Sequence, residues 1–206
     1  MALLMDAPQV LLAHPSVPAR TLAELVAYAK AHPGELNYAS SGNGSMQHLG
    51  TELLKQRAGI ELEHVPYKGT GPVMQDLIAG RVQLFLTTPP PAIPFLQNGQ
   101  LRALALAARE RHPALPEVPT AAEAGLRDFT VTSWQAVMGP AGMAPPLLAR
   151  VHAAVVEALR HPETVQRLGQ IGLTVVADGP ESYGAFQRAE IERWRGVVRA
   201  AGIKAE

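Results

Sequence analysis

Short apolar runs alternate with amphipathic segments along the first half of the chain. Runs with the length and composition of β-strands occupy residues 9–13, 36–40, 62–65, 82–87 and 101–107. Between them, apolar residues recur at helical spacing over 21–32, 45–59, 71–80 and 91–99. Strands that alternate with helices in this way predict an α/β fold, with a parallel or mixed sheet and right-handed crossovers.

The pattern changes after residue 107. Residues 108–131 are rich in proline and charge, with one short helix predicted near 120–124, and residues 133–146 are expected to be extended. Further helices are predicted over 145–160, 162–170 and 180–201, with a short strand at 173–177. This second part is mainly helical, and its one strand needs a sheet with which to pair.

The composition is that of a folded protein without charge bias. Hydrophobic residues make up 47% of the 206 residues and charged residues 17%, which is sufficient for a buried core. Basic and acidic side chains number 18 each, so nucleic acid, which favours a basic surplus, is not an expected partner. The chain has no cysteine, which excludes disulfides and thiolate metal ligands.

No apolar run reaches the length of a membrane span, and the N-terminal residues, interrupted by Asp6 and Pro8, are not expected to form a signal peptide.

Glycine and serine are concentrated in the stretch NYASSGNGSMQHLG, residues 37–50, at the start of a predicted helix. The free N–H groups and partial positive charge of a helix N-terminus attract anions. The stretch lacks the lysine of a P-loop, the glycine spacing of a dinucleotide site and the Gly-x-Ser-x-Gly order of a nucleophile elbow. It is interpreted either as an anion-binding loop or as an ordinary strand-to-helix turn with Ser45 as N-cap. The candidate ligand-binding residues are Ser40, Ser41, Gly42, Asn43, Gly44 and Ser45.

Two further strand-to-helix junctions, VPYKGTGP (65–72) and LTTPPP (86–91), also carry hydrogen-bond donors. Because the carboxyl ends of parallel strands meet at one edge of a sheet, the three junctions are expected to form one site. Donors outnumber acceptors there and no carboxylate is present, which favours a small anionic ligand. The candidate residues in these two junctions are Lys68, Gly69, Thr70, Thr87 and Thr88.

The other polar residues show no catalytic or metal-binding pattern. His48 and His64 have no third ligand at a recognisable spacing, so no metal is expected. The pairs Gln47/Thr51 and His48/Glu52 are interpreted as a solvated or packing face of the helix. No Ser-His-Asp order, carboxylate pair or cofactor fingerprint is found. We therefore expect no cofactor and no enzymatic activity. An enzyme or regulatory domain that binds a small phosphorylated metabolite remains the alternative to a solute-binding protein.

Four stretches carry a resemblance to a known family: NYASSGNGSMQHLGTELL, HVPYKGTGPVMQDLIAGRVQLFL, NGQLRALALAARERHPALPEVPTAAEAG and WQAVMGPAGMAP. Together they resemble the tripartite tricarboxylate transporter substrate-binding family, the Bug or TctC-type extracytoplasmic solute receptors. The resemblance covers essentially the whole chain. It implies a type II periplasmic-binding-protein-like fold and a periplasmic location. Such receptors hold a small carboxylate, an amino acid or an amide between two lobes and deliver it to a membrane permease.

The resemblance also implies roles for the candidate residues. Ser40, Ser41, Gly42, Gly44 and Ser45 would grip a ligand carboxylate at the helix start, through the backbone N–H groups of residues 42–45 and the Ser45 hydroxyl. The junction at 68–70 would lie near the cleft, and residues 87 and 88 would line it. His48 also matches a family position, and a structural role is expected for it.

The sequence departs from the family at its N-terminal side. Family members usually begin with a signal peptide and a further part of the first lobe, including a Pro-x-Gly-Gly loop, and neither is recognised here. The chain is interpreted as the C-terminal part of such a protein, with an α/β ligand-binding lobe at 14–130. Residues 1–13 and 131–206 are expected to supply crossing strands and the incomplete, mainly helical remainder of the other lobe. The helices of 145–206 would then have uncovered apolar faces, so self-association through them is expected.

Overall fold

The computed structural model describes residues 2–204, which contain seven strands and seven helices. Residues 1, 205 and 206, which belong to ranges predicted from the sequence, lie outside the described residues. The strands are β1 (Ala2–Ala13), β2 (Asn37–Ser40), β3 (Glu63–Pro66), β4 (Leu84–Thr87), β5 (Arg102–Ala107), β6 (Thr132–Val137) and β7 (Thr174–Val175). The helices are α1 (Leu22–Ala31), α2 (Met46–Ala58), α3 (Thr70–Ile78), α4 (Pro89–Gln97), α5 (Pro145–Arg160), α6 (Pro162–Gln170) and α7 (Pro180–Ala200).

The described chain divides into two compact units. Residues 8–132 and 196–204 form the first, called here the loop unit because it contains the glycine- and serine-rich stretch. Residues 2–7 and 133–195 form the second, called the helical unit. Strand β1 and helix α7 each contribute residues to both. That the two units are the lobes of a two-lobed receptor, as the sequence resemblance implies, stays a prediction.

The sheet of the loop unit is mixed, with the strand order β3-β2-β4-β1-β5. β2 is parallel to both β3 and β4, whereas β1 runs antiparallel to β4 and β5. β1 is also longer than its predicted range of 9–13. Asp6 and Pro8 interrupt the apolar pattern of the sequence, but the backbone stays extended through them and Ala7 is fully buried.

Helix ends in the loop unit follow local sequence signals. The Thr21 hydroxyl accepts the Glu24 N–H at 3.2 Å and caps α1. Helix α2 ends at Gly59, whose left-handed backbone (φ 62°) suits glycine because it has no Cβ. The short helix predicted near 120–124 is wrong: the segment is a hydrogen-bonded turn in which the Glu123 carboxylate accepts the Thr120 N–H at 2.8 Å. No helix within residues 2–204 is both long and apolar enough to cross a membrane.

Apolar side chains from both the strands and the helices form the core of the loop unit. One cluster joins Val10 and Leu12 of β1 and Phe85 of β4 to residues of α3 and α4. The buried members of this cluster are Val10, Leu12, Ala39, Val73, Met74, Leu77, Val82, Phe85, Ala92, Leu101, Leu106 and Leu115.

Gly50 allows helix α2 to approach its neighbours closely. A Cβ at this position would lie 2.5 Å from the Leu86 side chain and 2.9 Å from that of Val131. We expect Gly50→Ala to lower the free energy of unfolding by about 1–3 kcal/mol because the side chains must shift to make room. Denaturant unfolding of the purified variant measures this. The control is Gly196→Ala in α7, where a Cβ meets no atom within 4 Å; equal destabilisation by both changes would contradict the prediction.

The helical unit is built from α5, α6, most of α7 and a short strand pairing. Met5 and Asp6 of β1 pair antiparallel with Val175 and Thr174 of β7. The Trp134 ring packs edge-on against Tyr183 and Phe186, with ring centroids 6.2 and 5.4 Å apart. Among the described residues, the exposed large apolar side chains all belong to this unit; they are Val137, Met138, Leu147, Val151, Val165, Ile171 and Ile191.

Candidate functional site

The three polar junctions lie at one edge of the sheet. Ser40, the last residue of β2, is paired with Pro66, the last residue of β3. β2 is also parallel to β4, with Ala39 opposite Phe85, so the ends of all three strands point the same way. The first two junctions are bonded to each other, since Ser41 O accepts the Gly69 N–H at 3.1 Å. The structure therefore brings the three junctions to the same edge of the sheet, as expected.

Ser40 lies inside the protein rather than on the surface of the junction. Its side chain is completely buried. Its hydroxyl lies 3.1 Å from Gly42 O and 3.2 Å from Gly42 N, which closes a tight turn, and 2.7 Å from Nε2 of His64. Ser40 thus braces the loop that follows β2, and in this conformation it is not exposed to a ligand.

The amides of the loop are largely used within the loop itself. Gly42 N–H donates to Ser40 Oγ, and Ser45 N–H donates to Gly42 O at 3.2 Å. Gly44 N–H donates to Nδ1 of His48, also at 3.2 Å. Each of these three amides already has an acceptor in this conformation, so the expectation that the amides of residues 42–45 serve as ligand donors stays a prediction.

The free donors lie directly after these residues, at the start of α2. Ser45 is the N-cap, and its Oγ accepts the His48 N–H at 3.4 Å. Within residues 2–204, the N–H groups of Met46 and Gln47 have no hydrogen-bond acceptor, as is usual for the first turn of a helix. They and the hydrogen of the Ser45 hydroxyl can donate to an anion, and the helix dipole favours a negative charge there.

The other two junctions contribute unequally. Lys68 is exposed, and Gly69 and Thr70 are half-buried at the start of α3, so a cation and a hydroxyl lie beside the loop. Thr88 occupies the N-cap position of α4 without a side-chain cap bond and is half-buried, whereas Thr87 is only 1% exposed. The first three residues of α4 are prolines, which have no N–H, so this helix start offers no amide donors to an anion.

A cluster of rings and charges supports the loop from inside. The imidazoles of His48 and His64 stack with centroids 3.9 Å apart, and Tyr38 stacks on His64 at 4.8 Å. The Tyr38 hydroxyl donates to Glu52 Oε1 at 2.6 Å, and Lys55 Nζ lies 2.9 Å from the same oxygen. The helix face at His48 and Glu52, interpreted as solvated or packing, is a packing face, since both residues are less than a tenth exposed.

Burial controls the ionisation of this cluster. Desolvation lowers the pKa of His48, against the opposing effect of Glu52. Desolvation and the neighbouring His48 ring lower the pKa of His64 to about 4. Burial and the bond to the Glu52 carboxylate raise the pKa of Tyr38. Both imidazoles are therefore neutral at neutral pH, and the sequence offered no signal for this beyond two histidines in separate elements.

The site is suited to holding an anion. In the described part of the chain, no three His, Cys, Asp or Glu side chains are placed to hold a metal ion. The open end of α2 supplies two amide donors and a hydroxyl, and Lys68 adds a positive charge nearby. Glu52, the carboxylate of the cluster, is not placed to act as a general base at this end, because it is bonded to Tyr38 and Lys55.

Residues 1–203 match the tripartite tricarboxylate transporter family receptor. The chain belongs to this family. Among curated relatives of the receptor family, the protein BugT of Bordetella pertussis is 38% identical over 199 residues, which are 97% of this chain and 61% of BugT. A protein from the tcbD–tcbE intergenic region of a Pseudomonas strain is 36% identical over 192 residues, 93% of this chain and 57% of that protein. The chain thus spans about three fifths of these curated relatives.

Solved receptors of the family share the fold. An R. palustris protein solved with adipate has a TM-score of 0.87 and 35% identity, covering 98% of this chain and 68% of its own. MatC from Rhodopseudomonas palustris, solved with bound malate, has a TM-score of 0.84 and 36% identity, covering 96% and 68%. The periplasmic binding protein BugD has a TM-score of 0.85 at 28% identity, covering 100% and 69%. The expected periplasmic-binding-protein-like α/β fold is confirmed.

Proposed function

We propose that this chain is the solute-binding part of a tripartite tricarboxylate-type transporter and that it holds a small carboxylate at the start of α2. The observation that carries this proposal is the pair of unoccupied amides, Met46 N–H and Gln47 N–H, next to the Ser45 hydroxyl. A carboxylate has two oxygens and can accept from both amides at once. Charge-assisted bonds of this type are stronger than bonds between neutral groups.

The proposed binding residues divide into two groups by exposure. Ser41, Asn43, Gly44, Ser45 and the junction Lys68–Thr70 are at least partly exposed, together with Gly42 and Thr88. Ser40 and Thr87 are buried, so their proposed contribution is to hold the loop and the end of β4 in place.

The ligand class is inferred from the donors and from two relatives. Adipate and malate, present in the relatives' solved structures, are both dicarboxylates. A dicarboxylate is therefore the first ligand to test, ahead of a tricarboxylate, an aromatic acid or an amino acid. A phosphorylated metabolite is not favoured, because the relatives that define the family are solute receptors. Delivery to membrane permease subunits, a periplasmic location and the absence of catalysis belong to the same proposal.

A thermal-shift panel tests the ligand class. We expect adipate or malate to raise the midpoint of unfolding, and nucleotides and sugar phosphates to leave it unchanged, because only a ligand that binds the native state stabilises it. Stabilisation by phosphates alone would reverse the assignment.

Ser45→Ala tests the position of the site. The variant loses one hydrogen bond to the anion, so we expect the dissociation constant measured by calorimetry to rise about tenfold, as for loss of a bond to a charged group. It also loses the cap of α2, and Thr21→Ala is the matched control because it removes the equivalent cap of α1. Equal affinities of the two variants would place the ligand elsewhere.

A further inference from the structure

His48 and His64 each hold a different part of the loop between β2 and α2. Nδ1 of His48 accepts the Gly44 N–H at 3.2 Å, and Nε2 of His64 lies 2.7 Å from the Ser40 hydroxyl that closes the turn at Gly42. The two rings stack face to face with centroids 3.9 Å apart, so each limits the space open to the other. All these contacts lie within the loop unit, around the loop that leads into the helix start with the free amides.

We propose that the stacked His48–His64 pair is a positioning device that keeps the loop in its ligand-binding form and releases it when the pair takes up a proton. The inference rests on the proposed function, since it concerns the same helix start. Neither imidazole needs to contact the ligand. Their contribution is to fix Ser45, and with it the first turn of α2, relative to the end of β2.

The release follows from the hydrogen-bond inventory of imidazole. Nδ1 of His48 can accept the Gly44 N–H only while it has a lone pair, so the neutral ring must carry its proton on Nε2. A proton added at Nδ1 gives an imidazolium with two N–H donors. Two N–H groups then face each other, and the bond between Gly44 and His48 must break.

The surroundings of the pair decide how strongly protonation is resisted. Tyr38 on β2 stacks on His64, and Glu52 and Lys55 on α2 lie beside both rings. A cavity of about 420 Å³ next to them is lined by both histidines and by Glu52, Lys55, Asn43 and Lys204, among others. Glu52 favours the imidazolium, whereas burial and Lys55 oppose it for both rings. A positive charge on one ring also opposes one on the other.

The sign of the pH effect follows from the lowered pKa values. An unfolded histidine takes up its proton near pH 6.5, whereas the pKa of the folded His64 is about 4. Between these values the unfolded chain therefore binds more protons than the folded one. The stability that the neutral His64 gives to the folded state is complete above about pH 6.5 and is lost as the pH falls toward 4.

Two variants of His48 distinguish its hydrogen bond to Gly44 from the packing of its ring. His48→Asn keeps a side-chain oxygen near the place of Nδ1 that cannot be protonated, and His48→Leu removes the acceptor. NMR measures the protection factor of the Gly44 amide from about pH 3.5 to 7.5, a range that extends from below the lowered pKa of His64, about 4, to above the ordinary histidine value. His32→Asn is the control, because this histidine caps α1 away from the loop.

We expect Gly44 protection in the parent chain to fall several-fold as the pH decreases, and in His48→Asn to stay constant over the range. His48→Leu is expected to lose about tenfold in protection at every pH, as for one neutral hydrogen bond. A parent profile that does not change with pH, or an Asn variant that follows the parent, would overturn the proposal. If the Leu variant does not fold, the Asn comparison still decides.

Calorimetry with adipate and malate separates this inference from the proposed function. If the parent binds neither acid, the ligand assignment fails while the Gly44 measurement still tests the pair. If the parent binds, its affinity is expected to fall more steeply toward low pH than that of His48→Asn, because protonation of the acid's own carboxylates weakens binding equally in both. Parallel loss of affinity in both would show that the pair does not position the loop.

Discussion

Glu52→Ala is expected to lower the free energy of unfolding by about 2–4 kcal/mol. Glu52 is 8% exposed and accepts both the Tyr38 hydroxyl at 2.6 Å and the Lys55 ammonium at 2.9 Å. Removal of the carboxylate leaves a buried hydroxyl and a mostly buried cation without their partner, and each such group costs about 1–3 kcal/mol. Denaturant unfolding followed by circular dichroism measures the difference.

Glu163→Ala is the matched control for this change. Glu163 also forms an ion pair on a helix, with Arg167, but both side chains are more than half exposed. Exposed pairs contribute about 0.2–1 kcal/mol, so the control should be nearly neutral. In a Tyr38→Phe background, Glu52→Ala should cost less, because the hydroxyl that needs it is gone. Equal costs at Glu52 and Glu163 would mean that the carboxylate does not support the ring cluster.

The double substitution Leu147→Glu/Val151→Glu is expected to convert an associating chain into a monomer. Leu147 is 49% exposed and Val151 40% exposed, and the two are four residues apart on α5, so they share one face. Exposed apolar clusters of this kind favour association with a second copy of the chain. Two charges at the centre of the contact would have to be desolvated on association, which strongly disfavours it.

Light scattering across a concentration series measures this effect. The parent chain is expected to increase in mean mass with concentration, and the double variant to remain at the mass of one chain. Ala149→Glu/Ala153→Glu is the control, since it adds the same charges at the same spacing on another exposed face of α5. A parent chain that is monomeric at every concentration would disprove the expected self-association.

The order of the secondary structure elements could be predicted from sequence because its signals are local. The cap at Ser45, the glycine after α2 and the apolar periods define most helices to within a few residues. The direction of β1 could not be predicted, because an apolar run has the same pattern whether its neighbours are parallel or antiparallel. The turn at 120–124 has the local signals of a helix start, because Thr120 and Glu123 have the spacing and the mutual bonds of a helix cap.

The internal support of the candidate site was beyond sequence reasoning. His48 and His64 come together only because the parallel pairing of β2 with β3 places His64 opposite Tyr38, and α2 packs back over both. The position of the loop was predictable from its glycines and serines. The use of its amides was not, because the acceptors of two of them are the side chains of Ser40 and His48, whose rotamers no local pattern specifies.

The aromatic residues are divided unevenly between the two units. Both tryptophans, Trp134 and Trp194, belong to the helical unit, whereas Tyr28, Tyr38 and Tyr67 belong to the loop unit. Selective excitation of tryptophan therefore reports the helical unit: Trp134, which packs against Tyr183 and Phe186, and Trp194, which donates to Glu190. An unfolding curve from tryptophan emission follows one unit, and coincidence with a tyrosine or backbone signal becomes a direct test of whether the two units unfold together.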